Sequence, residues 1–297
     1  MTKINPVVVI PIYMEAFSQY EELSLRQCLH VLHNRHIILI TYPEFDKSNY
    51  DYLLSEYSNV THDYSFFDKR YFKSISGYNE LLLSRMFYDR FRSYSHILIY
   101  QLDAYIFRDE LDYWCSLSYD YIGAPWFEGF RKTTNNRLWK VGNGGLSLRR
   151  VSSFIKLFEW LFKAHYLSNY QKLRPIGKVI RLTFLFANLL LSRFRSKKCN
   201  SFKNLLNEDV FWCTELAFRL STLIDSRSIL YKLFLRQQPG LIIPEVELAI
   251  PFSFDHNAKL MFEKNNFTLP MGCHAWHKEY DEFWIDHISL EGIKNVK

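Results

Sequence analysis

Glycine is scarce in this chain, ten in 297 residues, and those present build no phosphate loop. No GxGxxG follows the first apolar run and no GxxxxGKS/T occurs anywhere, which disfavours a Rossmann dinucleotide site and a P-loop. Cysteine is scarce as well: five residues at 28, 115, 199, 213 and 273, odd in number and without a CxxC. That spacing argues against a disulfide framework or a zinc knuckle and points to a reducing compartment. Long hydrophobic runs are missing. The longest candidate, Leu182 to Leu191, is ten residues, too short to span a bilayer. The N-terminal apolar run stops at Pro11, too soon for a secretory signal, so the expectation is a cytoplasmic protein. What is abundant excludes disorder: 25 Phe, 20 Tyr and 7 Trp supply a sizeable core, and the length suits one large domain or two small ones.

Acids are absent from one stretch. Between Trp160 and Asn207 stand ten Lys or Arg and no Asp or Glu, so this segment carries +10 and the remainder −4, against a formal total of +6. A general basic surface for nucleic acid is therefore not supported, and no base-stacking module is visible. At about 100° per residue, Lys178, Arg181, Asn188, Ser192 and Arg195 fall on one side of a helix, and Val179, Ile180, Phe184, Leu185 and Leu189 fill much of the rest. This basic amphipathic insertion, at about 169–203, has two readings: a core helix with a solvated face, or an element that lies on an anionic membrane surface through residues 172–198.

The N-terminal half alternates short apolar runs with helical patterns. Pro6 to Tyr13, His36 to Thr41, Val60 to Tyr64 and His96 to Tyr100 are expected strands; Tyr20 to Asn34, Asn49 to Tyr57 and Gly77 to Phe91 are expected helices. Such alternation implies βαβ units and an α/β fold with a mostly parallel central sheet, helices on both faces, in a single domain. Ligands of such sheets bind beyond the carboxyl ends of the strands. The fourth strand leads into Gln101-Leu102-Asp103-Ala104-Tyr105, an apolar run that offers a carboxylate where one is not needed for packing.

Six blocks stand in order after that point or just before it: YNELLLS (Tyr78 to Ser84), YQLDAYIFRDEL, YDYIGAPW, VGNGGLSLR, NEDVFW and GCHAWHK. Together they resemble nucleotide-sugar-dependent glycosyltransferases of the GT-A fold. They are similar to an uncharacterised bacterial family of such proteins associated with surface polysaccharide synthesis, catalogued as a domain of unknown function. The resemblance implies a GT-A-like sheet and a nucleotide-sugar donor; it does not supply the acceptor. A glycan or lipid-linked oligosaccharide acceptor, with action at the cytoplasmic face of a bacterial membrane, is the expectation that would give the basic amphipathic segment a role.

The residues can be set against the chemistry that this implies. Breaking a sugar–phosphate bond develops charge on a nucleoside diphosphate, which a divalent cation such as Mn²⁺ or Mg²⁺ carries when carboxylates hold it. GT-A enzymes use a D-x-D element for this. Here either register, Gln101-Leu102-Asp103 or Asp103-Ala104-Tyr105, leaves one carboxylate, so Asp103 is the candidate ligand and Gln101 its neighbour at the phosphates; the bland reading of Asp103 is a turn cap. His274 looks like the late-chain His that completes such sites, with His277 and Lys278 as alternatives and Lys278 able to neutralise the diphosphate. Glu208 and Asp209 resemble the acidic pair of inverting enzymes, Asp209 as general base, although acids in a first helical turn are favoured anyway. Asn143, Gly144 and Gly145 form a small-residue approach to a sugar ring, or merely a tight turn. Trp126 is a candidate sugar platform, with Trp212 and Trp276 as others, and Tyr13 sits where the nucleobase is held. Two competing functions keep the fold: a sugar nucleotidyltransferase, disfavoured by the glycine-free PVVVIPIYMEAF, and a non-catalytic sugar-binding or scaffold protein.

The membrane reading has its own test. Deleting residues 172–198 is expected to abolish sedimentation with anionic liposomes and to leave nucleotide binding intact; liposome binding that survives the deletion makes the segment purely structural.

Overall fold

The computed structural model describes residues 3–129, 136–171, 207–216, 240–278 and 282–288. The basic segment 172–198 lies outside the described residues. The chain divides into two compact units, the first made of Met1–Tyr78, Tyr94–Arg150 and Ile242–Lys297, the second of Asn79–Ser93 and Val151–Leu241.

The first unit has a mixed α/β fold with a mostly parallel central sheet. Strands β1 (Pro6–Pro11), β2 (His36–Thr41), β3 (His62–Phe66) and β4 (His96–Tyr100) are all parallel, and β9 (Leu146–Arg150) runs antiparallel to β4 and to β6 (Tyr121–Ile122). The order is β3-β2-β1-β4-β9-β6. β1 reads PVVVIP and β4 HILIY, with every residue buried, as expected of parallel strands covered on both faces. Helices α1 (Gln19–Val31) and α2 (Ser48–Ser55) are the crossovers from β1 to β2 and from β2 to β3. A capping box starts α1: the Ser18 hydroxyl accepts from the Glu21 N–H, and the Glu21 carboxylate accepts from the Ser18 N–H.

The strand order carries a consequence for binding. From β1 the chain builds outward to β2 and β3, then returns to place β4 on the other side of β1. The carboxyl ends of β1 and β4 therefore diverge in connectivity, the position at which open α/β sheets leave a crevice. Tyr13 follows β1 and Gln101 to Asp103 follow β4, so both expected donor-site segments open at this point.

Two smaller sheets were not expected from the sequence. β5 (Ala104–Ile106) pairs antiparallel with β11 (Gly272–His274), which pairs parallel with β10 (Ser253–Phe254). β7 (Pro125–Phe127) pairs with β8 (Leu138–Val141). The expected third strand lies two residues later, at β3. A second core gathers Tyr105, Phe127, Phe254, Met261, Cys273, Trp276 and Trp284 around the three-stranded sheet. Helix α5 (Leu111–Ser116) packs on the main core through Leu111, Trp114 and Cys115.

The single expected helix over Gly77 to Phe91 is instead two, α3 (Ile75–Leu82) and α4 (Arg85–Arg90). Ser84 is extended at φ −109°, ψ 140°, and its hydroxyl accepts from the Phe87 N–H, so it restarts the helix as an N-cap. In the second unit α4 packs on α6 (Val151–Gln171), with the Tyr88 and Phe154 rings stacked at 4.3 Å. Arg85, 3% exposed, pairs with Asp89 and Glu159, each at 3.1 Å. A short α7 (Glu208–Val210) continues into a π-turn over Phe211–Glu215, whose Trp212 packs edge-on against Phe154 and Phe158.

Leu98 in β4 has no exposed surface, whereas Tyr52 on α2 is 73% exposed. Leu98→Ala is expected to lower the unfolding free energy by about 3 kcal/mol and Tyr52→Ala by under about 0.5 kcal/mol in urea denaturation. Equal effects would contradict this placement of the core.

Candidate active site

Three backbone segments converge on one carboxylate–imidazole pair. The first is the turn after β4: the Ala104 N–H donates to the Gln101 carbonyl at 2.8 Å, and the Gln101 N–H to the Gly145 carbonyl at 2.8 Å. Helix α1 braces this turn, because the Ser24 hydroxyl donates to the Ala104 carbonyl at 2.6 Å and lies 3.0 Å from the Tyr100 hydroxyl. Asp103 is thereby held at the tip, its side chain 12% exposed.

The second segment is β11. Its register sets His274 opposite Ala104, next to Asp103, and His274 Nε2 lies 3.2 Å from Asp103 Oδ1. At that separation the two groups are ion-paired, although the geometry falls outside hydrogen-bond alignment. The third is β10. Its parallel pairing matches Phe254 with Cys273, so Asp255, the next residue, comes level with His274. Asp255 Oδ1 lies 3.0 Å from His274 Nδ1. Just past β11, the Lys278 ammonium donates to Asp103 Oδ2.

The GNGG turn supports this arrangement from beneath. Asn143 has φ 65°, a left-handed conformation that Asn tolerates better than most residues. Its Oδ1 accepts from the N–H groups of Gly145, at 2.8 Å, and Leu146, at 3.2 Å. This fixes the amide orientation and leaves Nδ2 3.0 Å from His274 Nδ1, with Asp255 as the acceptor that both groups share. A Cβ at Gly145 would lie 2.0 Å from His274 Nε2, so only glycine seats the imidazole here.

Burial works against charge in this cluster, and the pairings outweigh it. Burial alone would raise the Asp103 carboxyl; His274 and Lys278 hold it well below the usual range. Asp255 is also lowered, against its burial, by the hydrogen bond and charge of His274, by His256 and by Asn143. Burial disfavours the imidazolium of His274, but Asp103 and Asp255 raise it from 6.5 to about 10. Lys278 is raised by Asp103 despite its own desolvation. Tyr13, 57% exposed, is raised by burial of its hydroxyl, then by Glu21 and Asp103, with Lys278 opposing, so it shares the field of the cluster.

Of the residues expected from sequence, the structure brings Tyr13, Gln101, Asp103, Asn143, Gly145, His274 and Lys278 to one end of the first unit's sheet. Gly144 lies in the same turn, its carbonyl accepting from the Ser147 hydroxyl at 3.3 Å. Asn143 is 3% exposed, and both ends of its amide have partners within the protein. Trp126 is 2% exposed, with its ring so close over Gly142 that a Cβ there would sit 2.2 Å from it. Trp276 is 5% exposed, packed edge-on against Tyr20 and Tyr105. His277 stacks on Tyr20 at 4.8 Å, and its imidazole is lowered by burial. Glu208 and Asp209 belong to the second unit. There the Glu208 N–H donates to Asn79 Oδ1 at 3.2 Å, and Asp209 Oδ1 accepts from the Val210 N–H at 2.8 Å. Asp255 was missed. The signal was the one that marked Asp103, an apolar strand ending in a carboxylate, in Pro251-Phe252-Ser253-Phe254-Asp255.

Among the described residues no three His, Cys, Asp or Glu side chains converge as a metal site. The donors Asp103 and His274 nevertheless fit a divalent cation, the imidazole serving once its Nε2 proton is lost. Asp103 supplies a hard oxygen. His274 supplies a buried Nε2 without an aligned hydrogen bond, on a ring oriented through Nδ1 by a carboxylate.

A family model described as Protein of unknown function (DUF5672) matches residues 61–274. Comparison with curated proteins gives no match. Among solved structures the chain is similar to the galactosyltransferase LgtC in complex with donor and acceptor sugar analogues, at 10% identity and TM-score 0.45, covering 98% of this chain and 97% of that one. It is similar to mouse xyloside xylosyltransferase 1 in its apo form, at 10% identity and TM-score 0.44, covering 92% and 98%. It is also similar to core-mannan synthase A from Aspergillus fumigatus in a Mn/GDP form, at 9% identity and TM-score 0.38. That last match covers 52% of this chain and 61% of the other, less than two thirds of its length. All three TM-scores lie below 0.5.

The raised imidazole sets a pH dependence. A group raised from 6.5 to about 10 on folding contributes stability that is fully present below pH 6.5 and is lost as pH rises through about 10. In chelator-treated protein, the urea midpoint of the wild type is expected to fall more between pH 7 and pH 10 than that of His274→Gln. Parallel pH profiles for the two proteins would contradict the charge assigned to His274.

Proposed function

The chain belongs to the family described as Protein of unknown function (DUF5672), and we propose that it is a nucleotide-sugar-dependent glycosyltransferase of the GT-A kind. One observation carries the reading. The carboxyl ends of β1 and β4 carry a carboxylate only 12% exposed, bracketed by an imidazole and an ammonium, with an exposed tyrosine in the same electrostatic field. A nucleoside diphosphate matches this set. Its phosphates need cations, its leaving oxygen gains charge in the transition state, and its base needs an apolar face.

Roles follow from chemistry. Lys278 and the His274 imidazolium face the negative charge that develops as the sugar–phosphate bond breaks, and Tyr13 packs against the nucleoside. Gln101 closes the turn that aims Asp103, and Gly144 and Gly145 give the sugar a backbone to approach. Asn143, through its amide, orients the imidazole. In place of the imidazolium, a divalent cation held by Asp103 and by His274 Nε2 after loss of its proton would supply this charge for the leaving diphosphate. Asp209, with Glu208 beside it, is proposed as the base that deprotonates the acceptor hydroxyl in an inverting transfer. The acceptor is proposed to be a glycan or lipid-linked oligosaccharide of a bacterial surface polysaccharide. Residues 172–198 would hold the enzyme at the inner face of the membrane. Among the described residues no helix is long and apolar enough to cross it.

The test is thermal shift with UDP, GDP, CMP and dTDP, with and without Mn²⁺, on wild type and Asp103→Ala. One nucleotide at a hundredfold excess over its Kd is expected to raise the wild-type Tm by about 5 °C and the variant's by much less. Turnover of the matching nucleotide sugar should follow. No shift with any of the four would overturn the donor-site reading.

A further inference from the structure

We propose that Lys278 is the resting counter-ion of Asp103 and leaves it for the diphosphate, so that a divalent cation enters this site only together with the nucleotide. The inference rests on the donor-site reading above and concerns how that site is loaded.

Three features carry it. Both oxygens of the Asp103 carboxylate face cationic side chains: Oδ1 lies 3.2 Å from His274 Nε2, and Oδ2 accepts from Lys278. A bare cation that approached Asp103 would have to displace an ammonium already in place, and no third His, Cys, Asp or Glu among the described residues converges to compensate for that loss. Asp255 does not serve, because it holds the opposite nitrogen of the imidazole, Nδ1, at 3.0 Å.

The two partners of the Lys278 pair also differ in freedom. The Lys278 side chain is 59% exposed, against 12% for Asp103. Asp103 sits on a turn braced by Ser24 and by the Gln101–Gly145 backbone bond. Lys278 instead hangs on a four-carbon stem just past the end of β11, so the lysine is the partner that can move. A diphosphate offers it more negative charge than one carboxylate does. The exchange then frees Asp103 Oδ2 in the same event that brings phosphate oxygens to complete a coordination shell. Mg²⁺ and Mn²⁺ sites built from one or two protein ligands plus substrate phosphates have this composition. Cation and nucleotide are thereby linked, each raising the affinity for the other by the same factor.

The experiment measures Mn²⁺ binding to the full chain by electron paramagnetic resonance, with Mn²⁺ alone and then with each of UDP, GDP, CDP and dTDP. Wild type is expected to bind Mn²⁺ alone only weakly. Lys278→Met, which removes the competing charge at an exposed position, should bind Mn²⁺ alone at least about tenfold more tightly. Lys278→Arg, which keeps the charge, should behave as wild type, separating loss of charge from a general disturbance of the site. Wild type that binds Mn²⁺ alone as tightly as Lys278→Met would overturn the proposal, as would Lys278→Arg matching Lys278→Met. Because this comparison is made without nucleotide, it stands apart from the donor-site reading, which fails if none of the nucleotides binds with or without Mn²⁺.

Discussion

The pairing of Asp103 with His274 is the contact on which the rest of the site depends. A carboxylate with 12% of its side chain exposed is costly unless cations meet it, and here two do. Each cation is delivered by a different piece of regular structure. β11 brings His274 level with Ala104, and the segment beyond β11 brings Lys278. The imidazole in turn needs its own support, and Asp255 and Asn143 provide it from β10 and from the turn before β9. The cluster thus ties together four segments that are distant in sequence, and its two acids balance its two bases.

The fold explains why these segments meet. Reversal of strand order between β1 and β4 sets their carboxyl ends side by side, and α1 holds the β4–β5 turn through Ser24 and the end of β5 through the bond from Gln27 Nε2 to the Ile106 carbonyl at 2.8 Å. The small β5–β11–β10 sheet then works as a ruler. One residue of slip at β10 would turn Asp255 to the other face and strip the imidazole of its anchor. The absence of a side chain at Gly145 is equally specific, since the ring of His274 takes that space.

Much of the parallel sheet was legible in the sequence, for a physical reason: strands covered on both faces are unbroken apolar runs, as in PVVVIP and HIILIT. β3, with its pattern of intermediate, exposed and buried residues in HDYSF, was displaced by two because no such run marks it. The break between α3 and α4 was hidden, since Ser84 interrupts a strongly apolar periodic stretch without Gly or Pro. Strands of two or three residues carry no period, so the sheet that positions His274 was invisible, and Asp255 with it. Asp103, His274 and Lys278 were legible through resemblance and through the chemistry of a carboxylate at a strand end. Asn143 was found for its type and its neighbours, but its orientation depends on a left-handed backbone that sequence does not reveal.

The central claim is that this cluster is where a nucleoside diphosphate sits. A crystal structure of the protein with the nucleotide that stabilises it tests this most directly. The account predicts the phosphates within hydrogen-bond distance of Lys278 Nζ and beside Asp103 and His274, with the base against Tyr13. Phosphates bound elsewhere on the protein, with the Asp103–Lys278 pair intact, would contradict it.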